Sequence, residues 1–265
     1  MLSNSLLKVE SLTKIYEVGL FKKKYITAVN KVSFNVSRGE IISLVGESGS
    51  GKTTVAKIIL RLLPPTSGRV LYNGEDVWEK KKIEELKDYW RKVHAVFQDP
   101  FASFNPVYKI DRVLEQAFNL MGTPVDENAI KEALKEVALL PSEVLGKYPH
   151  ELSGGQRQRL MIARCFLLKP KLILADEPVS MVDASTRASI VNLFLRLRDE
   201  YKTSIIFITH DLGLAYFVSD RILIMYKGRI VEEGSPDELI SSPKDAYTKN
   251  LLESVPLLYG KWAGF

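Results

Sequence analysis

What this 265-residue sequence lacks narrows its class before any motif is read. It holds one cysteine, Cys165, so the chain cannot by itself build a disulfide framework or a multi-cysteine zinc or iron–sulfur site. A reducing compartment is the natural expectation. No run approaches the roughly 18–20 consecutive apolar residues needed to cross a bilayer; the strongest, Ile205–Ile208 and Ile222–Met225, are strand-length and flanked by polar residues. The opening Met1-Leu2-Ser3-Asn4-Ser5 lacks the basic stretch, apolar region and cleavage site of a secretory leader. A soluble intracellular chain is expected. Internal repeats and low-complexity linkers are absent, and 46% hydrophobic with 26% charged residues is globular rather than disordered usage. A strong excess of one charge is missing too: a net charge of +5 over 265 residues is mild, sits largely in two short lysine runs, and does not by itself imply a nucleic-acid partner. The runs Lys22-Lys23-Lys24 and Lys80-Lys81-Lys82 read as solvated loops.

What is present is an alternation of strand and helix signals. Leu6–Leu12, Val32–Val36 and Glu40–Val45 carry β-branched or alternating apolar residues between polar breaks, and predict strands. Val55–Leu63 is apolar at helical spacing and stops at Pro64-Pro65. Val93–Phe97 predicts another strand. Helical periodicity then dominates, in Val113–Leu120, Ala129–Leu139 and a helix from near Gly155 to Leu168, which predicts a helical insert over about residues 105–168. Alternation resumes with Lys171–Ala175, Ser189–Glu200, Thr203–Ile208 and Leu212–Val218. A two-strand hairpin, Arg221–Tyr226 with Arg229–Glu232, and a short helix after Ser235-Pro236 complete the pattern. Such alternation predicts an α/β domain with a mostly parallel sheet.

Gly46-Glu47-Ser48-Gly49-Ser50-Gly51-Lys52-Thr53-Thr54 fits the phosphate-binding loop pattern, and it lies between an apolar strand and a helix, the context that gives the pattern meaning. Glycines let the chain curl so that backbone N–H groups converge on an anion beside a helix N-terminus. Lys52 would bring a cation to the β- and γ-phosphates of a nucleotide, and the Thr53 hydroxyl could ligate Mg²⁺. Leu172-Ile173-Leu174-Ala175-Asp176-Glu177 is an apolar strand ending in two carboxylates. Asp176 suits a Mg²⁺ ligand, direct or through water. Glu177 suits the group that polarises a water for in-line attack on the γ-phosphate. Acidic pairs at strand ends also serve as plain loop starts or helix caps.

Leu152-Ser153-Gly154-Gly155-Gln156, followed by Arg157-Gln158-Arg159, resembles the signature of ATP-binding-cassette (ABC) ATPases. Physically, Ser153 and two glycines at a helix start offer a second anion site of hydroxyl and unencumbered N–H groups. The resemblance runs from about Leu6 to Leu252. It implies a RecA-like core sheet, an N-terminal antiparallel β subdomain and the inserted helical subdomain, within one ATPase domain over residues 1–265. It further implies that the signature closes over the γ-phosphate held by a second cassette, so that two Mg·ATP are sandwiched between two chains. By the same resemblance Tyr16 stacks on adenine (a plain core or surface tyrosine is the alternative), Gln98 touches Mg²⁺ or the attacking water, His210 is the switch histidine on the γ-phosphate, and Asp183 belongs to the loop crossing the dimer interface. The preceding Ser180-Met181-Val182 departs from the commoner Ser-Ala-Leu.

Within the family the chain looks most like the ATPases of oligopeptide and dipeptide importers, a group that also serves oligosaccharides and nickel. Gln98-Asp99-Pro100-Phe101-Ala102-Ser103-Phe104-Asn105-Pro106 and the segment Pro243–Leu252 carry that likeness, with Asp245-Ala246 where His-Pro is commoner and a family extension over about 236–265. Glu177–Met181 also resembles forms seen in sugar importers. The implied partners are a second ABC ATPase chain, the same or different, two membrane permease subunits and, indirectly, an extracytoplasmic solute-binding protein. The implied location is the cytoplasmic face of the membrane. The competing readings are an exporter ATPase and a non-transport ABC protein.

Overall fold

The computed structural model describes residues 5–19, 23–98 and 104–253. Lys22, the stretch 99–103 of the importer-like segment and the last part of the C-terminal extension lie outside the described residues. The elements run β1 (Ser5–Val18), β2 (Lys24–Ser37), β3 (Ile41–Val45), α1 (Lys52–Ile59), β4 (Ser67–Tyr72), β5 (Glu75–Asp76), α2 (Ile83–Lys92), β6 (Val93–Val96), α3 (Ile110–Met121), α4 (Glu127–Glu136), α5 (Pro141–Val144), α6 (Gly154–Leu168), β7 (Leu172–Asp176), α7 (Ala184–Tyr201), β8 (Ser204–Thr209), α8 (Leu212–Val218), β9 (Arg221–Tyr226), β10 (Arg229–Gly234), α9 (Pro236–Ser241) and α10 (Ala246–Glu253).

Two sheets result. An antiparallel one has the order β2-β1-β4-β5, and a six-stranded one has the order β10-β9-β3-β8-β7-β6, parallel except for β10. Every residue of β3, β7 and β8 is buried, which is why these strands read as unbroken apolar runs: helices and the second sheet cover both faces. One core packs α3, α4, α6 and α7 against residues such as Ile173 and Phe207 of the parallel sheet. A second joins Leu7, Val32 and Val36 of the antiparallel sheet to Ile42, Ile58 and Leu174, and a third, smaller one gathers Leu212 and Ala215 with Val45 and Ile222. Helices α3 to α6 lie in sequence between the parallel strands β6 and β7, and α6 carries residues of the first core along its length.

Several elements differ from their sequence-based expectation, each for a local reason. Strands β1 and β2 run to 14 residues each rather than the short stretches expected, because their far ends, with Val18, Tyr25 and Ile26 exposed, pair through backbone without an apolar alternation to announce them. Helix α1 ends at Ile59, short of Leu63. Tyr89 Oη donates to the Ile59 carbonyl at 2.6 Å and Trp90 Nε1 to that of Leu60 at 3.0 Å, which satisfies the helix end, and Arg61 turns away at φ 60°. Those two aromatics come from α2, which the sequence reading missed: Tyr89 is its one buried residue. Helix α7 starts at Ala184 rather than Ser189, because Asp183 caps it by accepting from the Thr186 N–H at 2.9 Å.

Cys165 sits on α6 with no exposed surface, and burial pushes its thiol up to about 12. A thiol reagent at neutral pH is therefore expected to leave the folded protein unmodified and to label one site after unfolding; rapid labelling of the native protein would contradict this placement.

Candidate active site

The order β3-β8-β7 and the register of those strands build the site. Val45 lies opposite Thr209, and Asp176 opposite Ile208. The chain therefore leaves three adjacent parallel strands at one level, with Gly46 following β3, His210 following β8 and Glu177 following β7. The carboxyl ends of parallel strands are where open α/β sheets take their ligands.

The loop after β3 is glycine-rich for packing as well as for access. A Cβ on Gly46 would sit 2.1 Å from the Met225 carbonyl oxygen, and one on Gly51, at φ 108°, would sit 2.3 Å from that of Ala28. The loop is thus pressed against β9 and β2 and leads directly into α1, whose N-cap is Gly51. Lys52, 7% exposed, donates to the carbonyls of Gly46 (2.5 Å) and Glu47 (2.8 Å) and to Ser50 Oγ (3.4 Å). Burial pushes the Lys52 ammonium below the ordinary lysine range, although the carboxylates of Glu177, Asp176 and Glu47 pull the other way. A desolvated cation held only by neutral oxygens is primed for an anion.

Thr53 Oγ1 donates to Asp176 Oδ1 at 3.4 Å. Burial raises the Asp176 carboxyl above its usual range; the Thr53 hydrogen bond opposes that rise, the Glu177 charge adds to it, and Lys52 and Lys57 lower it. A threonine hydroxyl beside an under-compensated carboxylate is an all-oxygen donor set. It fits Mg²⁺, which keeps most of its ligands as water and substrate phosphate. Among the described residues no cluster of three or more His, Cys, Asp or Glu could hold a metal without such help.

Glu177 has φ 48°, unusual for a residue with a side chain. Its N–H donates to the Ile208 carbonyl at 2.9 Å, which ties the turn to β8. Its side chain is 14% exposed and that of His210 is 65% exposed; Glu177 Oε1 and His210 Nδ1 lie 2.8 Å apart. A largely buried carboxylate whose charge bears on Lys52 thus lies within hydrogen-bond distance of an exposed imidazole just past the next strand.

The remaining expected residues fall elsewhere. Ser153 caps α6: its Oγ accepts from the Gln156 N–H at 3.2 Å, and Gln156 Oε1 accepts from the Ser153 N–H at 2.9 Å. Leu152 is buried beneath it. Ser153, Gly154, Gly155 and Gln156 line a cleft of about 420 Å³ with Arg159, Met181, Val182, Asp183 and Thr186; no residue of the Gly46–Thr54 loop lines it. Asp183 accepts from Ser185 Oγ at 2.5 Å and Thr186 Oγ1 at 2.8 Å, and these bonds hold its carboxyl well below the usual range. Tyr16 is half-buried near the end of β1, with Lys14 Nζ 5.5 Å from its ring centroid. Gln98 is exposed just past β6, the edge strand beside β7; among the described residues no hydrogen bond joins it to Thr53, Asp176 or Glu177.

A buried lysine in a glycine loop, next to strand-end carboxylates on a parallel sheet, is the equipment of a P-loop nucleoside triphosphatase, and the fold is of that class. Residues 29–180 match the ABC transporter family, and the chain belongs to it as an ABC ATPase. It is 39% identical over 258 residues to a putative peptide import ATP-binding protein of Brucella ovis, covering 97% of this chain and 80% of the relative. It is 42% identical over 260 residues to the oligopeptide transport ATP-binding protein OppF of Streptococcus pyogenes serotype M1, covering 97% and 83%. Among solved structures it is similar to the dimeric post-hydrolysis state of the ATP-binding cassette MJ0796 bound to ADP and Pi, with a TM-score of 0.78, 30% identity and coverage of 87% of this chain and 98% of that one. No helix among the described residues is long and apolar enough to cross a membrane.

Proposed function

We propose that this chain is the ATP-hydrolysing subunit of a peptide importer, seated on permease subunits at the cytoplasmic face of a membrane. The observation that carries the reading is the meeting of Lys52, Thr53, Asp176, Glu177 and His210 at three neighbouring strand ends. The relatives from Brucella ovis and Streptococcus pyogenes, a putative peptide import and an oligopeptide transport ATP-binding protein, support peptide as the cargo class.

In this reading the N–H groups of residues 51–54 and the Lys52 ammonium receive the β- and γ-phosphates, and Tyr16 faces the adenine. Thr53 and Asp176 would hold Mg²⁺, with Gln98 as the further contact reaching in from the end of β6. Bound there, the ion would neutralise charge on the phosphate oxygens. Glu177 takes a proton from a water as its oxygen forms a bond to the γ-phosphorus, the bond to the β-bridging oxygen breaks, and ADP leaves with that electron pair. His210 holds the Glu177 carboxylate toward the water.

The signature residues Leu152–Gln156 serve the ATP of a second cassette, with Asp183 at the seam. A Cβ on Gly154 would come no nearer than 3.9 Å to Met181 O, and one on Gly155 no nearer than 3.5 Å to Thr186 Cγ2. Packing within the chain therefore does not demand glycine at either position, whereas close approach of a phosphate from another chain does. Each ATP then touches both chains only in the closed pair, so ATP favours closure and its hydrolysis releases it.

Gly155→Asp tests this division of labour. The carboxylate is expected to leave the affinity of a single chain for ATP within about two-fold, since it lies outside the phosphate loop. Like charge against the partner's γ-phosphate costs several kcal/mol, so turnover should fall by about 100-fold or more. Steady-state hydrolysis with a parallel nucleotide titration decides it. Normal turnover would remove the signature from the reaction.

A further inference from the structure

The phosphate loop is held from outside by a segment that has no part in the reaction just described. Glu47 N–H donates to Tyr247 Oη of α10 at 3.1 Å, across 200 residues of sequence. That N–H belongs to the same peptide plane as the Gly46 carbonyl, and the Gly46 oxygen accepts from Lys52 Nζ at 2.5 Å. Because a peptide unit is rigid, fixing its N–H end fixes the direction of its carbonyl. The hydroxyl on α10 therefore sets where one of the three acceptors of Lys52 points.

The tyrosine is itself firmly placed. Its ring stacks on Tyr226 at the end of β9, with centroids 4.1 Å apart and planes 23° from parallel. The turn after Tyr226 also grips the loop, since Gly228 N–H donates to the Ser50 carbonyl at 2.9 Å. The start of α10 is pinned by the Glu232 carboxylate, which accepts from the N–H groups of Lys244 (2.8 Å) and Asp245 (3.0 Å), while Asp245 Oδ1 accepts from the Tyr247 N–H at 2.8 Å. Tyr247 also packs into the small core built around Leu212 and Ala215 of α8, the helix that follows His210. One segment thus braces the loop that carries Lys52 and rests on the helix behind the histidine.

We propose that Tyr247 is a positioning residue for nucleotide binding: through the Glu47 amide it orients the Gly46 carbonyl that holds the Lys52 ammonium. The inference rests on the reading of Lys52 as the phosphate-binding cation, and its test separates the two.

Tyr247→Phe keeps the stack on Tyr226 and deletes only the hydroxyl. Isothermal titration with Mg·ATP is made in the Glu177→Gln background, where binding is read without turnover, together with thermal unfolding and the Lys52→Ala control. The expected result is a Kd raised about two- to ten-fold, the range for losing one neutral hydrogen bond, with one nucleotide per chain and an unchanged Tm. A merely structural tyrosine would instead lower the Tm or the binding stoichiometry and leave the Kd of the remaining sites intact, and that outcome overturns the proposal. An unchanged Kd in Tyr247→Phe beside a weakened Lys52→Ala overturns the positioning role alone. An unchanged Kd in Lys52→Ala overturns the reading of the loop itself.

Discussion

Glu177→Gln is expected to bind ATP with near-normal affinity and to hydrolyse it about 10²–10⁴ times more slowly than the native chain. At 1.36 kcal/mol per factor of ten, that is roughly 3–5.5 kcal/mol of lost transition-state stabilisation. The substitution is nearly isosteric. An amide can still hydrogen-bond His210 Nδ1, now 2.8 Å from the carboxylate, and the backbone at φ 48° is left as it was. What disappears is a group able to take the proton of the attacking water. The neighbouring charges shift as well: Asp176 loses the like charge that helps to raise it, and Lys52 loses a favourable one. Those two changes leave binding close to normal because the loop and its N–H groups are untouched. Single-turnover hydrolysis, with a separate binding titration, measures both quantities; native-like turnover would remove Glu177 from the chemistry.

Lys52→Ala acts on the other half of the problem. The ammonium is 7% exposed and held by two carbonyls and a hydroxyl. The protein keeps it there at a cost, as the lowered pKa from burial indicates. A polyphosphate offsets that cost directly, and one charge-assisted hydrogen bond contributes about 1.5–3 kcal/mol. Removing it should raise the Kd for Mg·ATP by roughly 10- to 150-fold. Global stability should change far less, since the alanine variant loses the desolvated charge along with its hydrogen bonds. A nucleotide titration paired with denaturant unfolding separates the two effects, and an unchanged Kd would count against the phosphate role.

The parts legible in the sequence are those where local pattern and tertiary placement agree. Strands β3, β7 and β8 are buried on both faces, so their apolar runs are uninterrupted, and the punctuation after each run is where Gly46, Glu177 and His210 stand. The capping box at Ser153 and Gln156 is a local device and marks the start of α6 directly. Elsewhere the pattern gives little warning. Helix α2 buries only Tyr89 and reads as a charged loop, and β4 opens on three exposed residues, Ser67, Gly68 and Arg69. The contact from Tyr247 to Glu47 joins positions 200 residues apart. The sequence marks Pro243–Leu252 as a family segment, but only the packing of α10 beside the β9–β10 turn shows what it touches.

The central claim is that an ATP held by the loop of one chain is completed by the signature of another. Light-scattering chromatography of Glu177→Gln protein, with and without Mg·ATP, tests it most directly. The account predicts one chain without nucleotide, two chains with it, and a return to one chain when Gly155→Asp is added to the same protein. A pair indifferent to Gly155→Asp, or a single chain that binds no Mg·ATP, would contradict it; a single chain that still binds Mg·ATP would make the completing signature that of a different ATPase chain.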